Sequence, residues 1–154
     1  MEFLFAQVLQ FSDTHIVLAY LVIFLFTAAV EGEITLLLAG VLGHQGYLNI
    51  TTLLVIGFTA AVLHDILFWY IGGRLGATKL TRILFIDLQK VRAWLSHLSG
   101  SIGPYIFISK FTWGLSRMVL IASGYLGISF KRLMLYSIPA SLLWSSSLLS
   151  LGYL

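Results

Sequence analysis

The chain uses one hydrophobic unit twice. Glu33 to Gly43, EITLLLAGVLG, aligns without a gap on Arg117 to Gly127, RMVLIASGYLG. Ala39-Gly40-Val41-Leu42-Gly43 then meets Ser123-Gly124-Tyr125-Leu126-Gly127, and Glu33 meets Arg117, an acid where the other copy has a base. After a short gap the match resumes, with Leu53 to Ile71 and Gly72 paralleling Leu133 to Leu151 and Gly152. A duplicated apolar unit with an interrupted segment in each copy predicts an inverted repeat, the two halves meeting at a central site.

The solvent for such a fold follows from composition. Apolar residues make up 59% of the chain and charged residues 10%, against about 45–50% and 25% in soluble domains. The predicted class is an all-α integral membrane protein, a single membrane domain over residues 1–154. The net charge of +3 is modest, and its basic residues form no face free of membrane constraint, which argues against nucleic acid as a partner. With no cysteine, disulfides, thiolate catalysis and Cys-based metal sites are excluded. Residues 1–13 hold Glu2 and Asp13 and no Lys or Arg, so no cleavable signal peptide is expected.

Segment lengths set the expected topology. Phe3 to Phe11 is too short to cross and is expected along the interface, while Ile16 to Val30 reaches roughly 22 Å and spans only with help from its flanks. Ile34 to Gly43 cannot cross as a helix and reads as one arm of a re-entrant hairpin. Leu53 to Ile71 can cross, with His64 and Asp65 inside it. Lys79 to Leu98 sets Leu84, Leu88, Val91, Leu95 and Leu98 on one stripe among Arg82, Asp87, Lys90, Arg92 and His97, predicting an amphipathic interfacial helix at about 79–99 between the halves. Pro104 to Gly127, broken by Lys110, Gly114 and Arg117, reads as the second re-entrant hairpin, and Leu133 to Leu151 as the last crossing, kinked at Pro139. Repeat 1 therefore runs over about 31–73 and repeat 2 over about 104–154. Arg74, Lys79, Arg82, Lys90, Arg92, Lys131 and Arg132 gather on one face, which orients that face to the cytoplasm.

Ionisable residues inside such segments are costly and usually face a cavity or a partner. Glu31 and Glu33, where the first span gives way to its hairpin, read as proton-coupling or headgroup-positioning groups, or as solvated flanks of a short span. Lys110 and Arg117, with Gly114, Ser116 and Ser123, read as a cationic pocket for a phosphate, or as side chains snorkelling to the interface. Asp65 reads as a buried carboxylate able to pass a proton. His64 reads as a structural hydrogen-bonding group, and the glycines and tryptophans as packing and belt residues.

From about Tyr20 onward the chain resembles the DedA family, also called SNARE-associated or VTT-domain membrane proteins. The resemblance is carried by Glu31-Gly32 with Leu38-Ala39-Gly40 and Gly46-Tyr47, by Tyr70-Ile71-Gly72-Gly73-Arg74, by Lys110-Phe111-Thr112-Trp113-Gly114, and by Gly124 with Phe130-Lys131-Arg132 before the final Leu151-Gly152-Tyr153. Many members have prolines before the first acid and an arginine six residues after the hairpin's basic residue. Here those places hold Ala29-Val30 and Ser116, with Arg117 one later, and the match is to a branch with Glu-Gly and Lys-Phe-Thr-x-Gly motifs.

The resemblance implies two re-entrant hairpins that meet. It also implies a transporter or scramblase that moves polyprenyl phosphates or phospholipids between leaflets, often with protons, in the bacterial cytoplasmic membrane. Its partners would be membrane lipids and protons. No HExxH, no GxSxG and no histidine close in sequence to Lys110 or Arg117 appears, so neither catalysis nor a metal or other cofactor is expected. Two other readings remain open: a structural or assembly protein whose charges pair with each other, and an intramembrane enzyme acting on lipid phosphates.

Overall fold

The computed structural model describes residues 2–29, 32–74, 102–112 and 115–154, with side chains at 15–28, 32–74, 103–112 and 115–154. The predicted interfacial helix at 79–99 lies outside the described residues, as do Glu31, Trp113 and Gly114. Helices account for nearly all of the described chain: α1 (Glu2–Ala29), α2 (Gly32–His44), α3 (Ile50–Arg74), α4 (Ile102–Ser109), α5 (Leu115–Tyr125) and α6 (Phe130–Tyr153). The chain divides into two units. One comprises 1–61 with 145–154, the other 62–144.

α1 joins the stretch expected along the interface to the one expected to span. No glycine or proline stands between Glu2 and Ala29, so nothing interrupts the helical ladder at Asp13-Thr14. α6 is likewise continuous through Pro139. α2, α4 and α5, by contrast, reach only about 12–20 Å each, short of the ~30 Å hydrocarbon core.

The turns that follow α2 and α5 have a common construction. α2 ends in a Schellman motif: Gly46 adopts φ 77°, its N–H donates to the Gly43 carbonyl (3.1 Å), and the Tyr47 N–H donates to Leu42 (3.1 Å). α5 ends the same way at Gly127, φ 71°, with Gly127 N–H to Gly124 and Ile128 N–H to Ser123, both 3.0 Å. Only glycine takes this left-handed conformation without a Cβ clash. The next helix is then capped. Asn49 Oδ1 accepts the N–H groups of Thr51 and Thr52 at the start of α3, and α6 begins after Ser129. The sequence alignment paired Gly43 with Gly127, but the equivalent terminator is Gly46, because α2 continues through Gly43 for a further residue before it stops.

α3 and α6 are long and apolar enough to cross a membrane. Only 28% and 39% of their most apolar windows are buried inside the protein. The buried faces hold mainly small residues: Gly57, Ala60, Ala61, Asp65 and Gly72 on α3, and Ser137, Ala140, Ser141 and Ser145 on α6. The large side chains point outward, among them Leu63, Leu67, Leu135 and Leu143. A chain folding in water buries its large apolar groups; small residues inside and large ones outside fit packing in lipid, where close backbone approach replaces hydrophobic burial as the source of helix association.

The duplication is visible in the contacts of each unit. In the first, Gly40 of α2 lies against the Leu149 carbonyl and Gly152 of α6, and Gly152 lies against the Leu37 carbonyl. In the second, Gly124 of α5 lies against the Trp69 carbonyl and the Gly73 nitrogen of α3, and Gly72 lies against the Ile121 carbonyl. Gly40 with Gly124, Gly72 with Gly152, Leu37 with Ile121 and Trp69 with Leu149 are the pairs that the sequence alignment equates. Each short helix packs on the end of the other copy's long helix. The second unit adds an apolar core of Ile106, Val119, Leu120 and Leu133, covered by Phe68, Trp69, Met134 and Tyr136, and a Trp69 Nε1–H bond to the Ile128 carbonyl, 3.0 Å.

A Cβ on Gly72 would overlap the backbone at Ile121, whereas one on the adjacent Gly73 would meet the Gly124 carbonyl at 3.5 Å, an ordinary contact. Gly72→Ala is therefore expected to lower stability by about 1–3 kcal/mol through overpacking. Gly73→Ala should leave it unchanged or raise it by up to about 1 kcal/mol through helix propensity. Thermal unfolding of the two detergent-purified variants checks this; equal effects at the two positions would contradict the close contact.

Candidate functional site

The second unit brings a carboxylate, an ammonium and two hydroxyls to one buried place. α3 carries Asp65 on its small-residue face, 1% exposed. α4 stops at Ser109, and the chain turns through tight bonds from Lys110 N–H to Phe107 (3.3 Å), Phe111 N–H to Ile108 (3.0 Å) and Thr112 N–H to Ser109 (3.1 Å). Lys110 is thus the first residue past the helix, at the end where the helix dipole favours a cation. α6 contributes Ser137 and Ser141, one turn apart on its buried face and both fully enclosed.

Lys110 Nζ forms an ion pair with Asp65 Oδ2. The Ser137 hydroxyl donates to the same oxygen, and the Ser141 hydroxyl approaches it at 3.5 Å. Among the described residues, the other carboxylate oxygen, Oδ1, is buried without a hydrogen-bond partner. All the donors thus converge on one oxygen and leave its twin bare. The hydroxyl of the neighbouring Ser109 is spent on the Ile106 carbonyl, 3.0 Å.

Of the residues singled out in the sequence, Asp65 and Lys110 are brought together. Arg117, at the start of α5, places its guanidinium 5.9 Å from the Phe68 ring centre, a geometry at the outer limit for a cation–π contact. Glu33 is half-buried in the first turn of α2, where the helix N-terminus favours an anion. Glu31 lies outside the described residues.

Ser137 and Ser141 were not singled out in the sequence. Their signal is the spacing Ser137, Ser141, Ser145, one residue per turn on a single face of the last helix, masked by the more conspicuous run Ser145-Ser146-Ser147. In the first unit the positions equivalent to Ser137 and Ser141 are Gly57 and Ala61, and the position equivalent to Asp65 is Ser145. Leu36 packs on Gly57 there. One copy of the duplicated contact thus carries the charge and the other is neutral. The first unit instead holds an open groove of about 590 Å³, lined by Leu54 and Leu149 with the hydroxyls of Thr51, Ser146 and Tyr153.

A buried ion pair contributes little net stability, but removing one member strands the other charge. Asp65→Asn should cost about 3–5 kcal/mol, and Ser137→Ala about 1.5–3 kcal/mol for a hydrogen bond to a charged group. Asp65→Asn combined with Lys110→Met should recover most of the loss. Unfolding midpoints of the three variants test this, and a double variant no more stable than Asp65→Asn alone would show that the two charges do not compensate each other.

No family model, no curated protein and no solved structure matches the chain.

Proposed function

We propose that this chain is a multi-pass membrane lipid transporter or scramblase of the DedA type. Its substrates are lipid phosphates, either polyprenyl phosphate or phospholipid, carried between leaflets of a bacterial cytoplasmic membrane and coupled to protons. The observation that carries the proposal is the Asp65–Lys110 pair, enclosed with Ser137 among helices whose outer surface is apolar. Charges in such surroundings are costly and are retained where a polar species has to pass. The matching glycine contacts in the two units support an inverted repeat, and the shortness of α2, α4 and α5 supports re-entrant hairpins.

In this mechanism Lys110 has two partners in turn. With Asp65 it forms the closed resting pair. A lipid phosphate draws it away by charge-assisted hydrogen bonding, and a proton on Asp65 removes the charge that would otherwise be stranded. Arg117, whose guanidinium lies near the Phe68 ring, is the second cation offered to the phosphate. Glu31 and Glu33 act as further proton-coupling groups at the entrance to the first hairpin. The groove of the first unit, apolar with a few hydroxyls, is of a size suited to one lipid chain.

The test is leaflet exchange of fluorescent lipid phosphates in liposomes containing the purified protein. The parent should accelerate exchange over protein-free liposomes, and Arg117→Ala should slow it by at least about tenfold, the loss of one charge-assisted contact, while still inserting and folding. Glu31→Gln or Glu33→Gln should flatten its pH dependence. Parental exchange rates in Arg117→Ala and in the stable Asp65→Asn/Lys110→Met double variant would assign the charges to structure alone.

A further inference from the structure

The oxygens gathered at Asp65 Oδ2, the atom on which Lys110 Nζ docks, form a set that a metal ion would also accept. Asp65 supplies a carboxylate, and Ser137 and Ser141 supply hydroxyls from the facing helix, all of them buried. Every atom is a hard oxygen donor, which selects hard cations over transition metals. The single negative charge is balanced by one positive charge. A divalent ion would leave a net charge stranded in an apolar interior, so the site suits a monovalent ion. Asp65 Oδ1, buried and without a partner among the described residues, is a further ligand position that the ammonium does not use.

We propose that Asp65, Ser137 and Ser141 form an alkali-cation site, which the Lys110 ammonium fills from within the chain and which takes sodium when that ammonium is absent. The serine hydroxyls, which donate to Asp65 Oδ2 in the resting pair, have lone pairs to offer a cation in the same place. Lys110 enters from a helix C-terminus, and broken-helix ends of this kind are where membrane transporters hold their coupling ions. The built-in ammonium makes the resting structure independent of sodium. The equivalent place in the first unit, with Gly57, Ala61 and Ser145, has no carboxylate and gives no such site.

The test uses the full chain in detergent and measures thermal unfolding in sodium, potassium and choline chloride at one ionic strength. The parent should melt alike in all three. Lys110→Ala should melt about 5–15 °C lower in choline, the scale of a broken buried pair. It should rise with sodium or potassium concentration as specific binding requires, and adding Ser137→Ala or Asp65→Asn should remove the response. Lys110→Gln, which keeps a polar side chain one atom shorter and without the charge, repeats the measurement. A Lys110→Ala protein that melts alike in all three salts overturns the proposal, and so does a parent that responds to sodium as strongly as the variant. Failure of both single variants to accumulate in sodium-grown cells, where Asp65→Asn/Lys110→Ala does accumulate, overturns it as well, since sodium would then not replace the ammonium. Because the readout is stability, a sodium response without lipid exchange, or exchange without a sodium response, separates this proposal from the transport mechanism.

Discussion

Backbone contact at four glycines organises this protein. Gly40 and Gly152 in one unit, and Gly124 and Gly72 in the other, let a short helix lie directly on the end of a long one. Where apolar side chains face lipid, burying them gains little, and association depends on dispersion and polar contacts between closely approached backbones. The burial pattern of α3 and α6 follows from that constraint. Glycine, alanine and serine make up most of the inner faces, with Leu53 on α3 and Leu133, Trp144 and Leu149 on α6 buried among them, and the other leucines of these helices face outward or are only partly covered.

The same close approach gives Asp65 its setting. A small-residue face leaves room for few side chains, so the ones present must satisfy each other. Lys110, Ser137 and Ser141 all turn to a single carboxylate oxygen. The arrangement is saturated on one side and empty on the other, and the bare Oδ1 is where a saturated structural pair would be expected to have a donor. The feature belongs to one unit only, since the duplicated positions in the other unit are neutral. The glycine contacts recur in both units, whereas the charge stands in one of them.

Lipid transport and cation binding make different demands on this pair. Transport requires that Lys110 leave Asp65 for a phosphate. Cation binding requires only that the oxygens stay in place when it does. Both follow from a carboxylate that must always be compensated and an ammonium on a flexible stem that can be drawn elsewhere.

The sequence by itself determined the helical class, the self-similarity that pairs the glycine positions, and the presence of Asp65 and Lys110 as charges in apolar segments. These follow from composition, local periodicity and self-similarity, none of which needs a third dimension. Long-range partners were not legible. Lys110 precedes Arg117 by seven residues and follows Asp65 by 45, so reading along the chain grouped the two bases, whereas folding set one of them on the acid. The expected hairpin arm ended at Gly43, which aligns with Gly127, but the left-handed φ lies at Gly46. Ser137 and Ser141 became site residues only when α6 turned that face to α3 within the second unit. A charge finds its partner through the packing of helices distant in sequence, and that packing is a property of the tertiary structure alone.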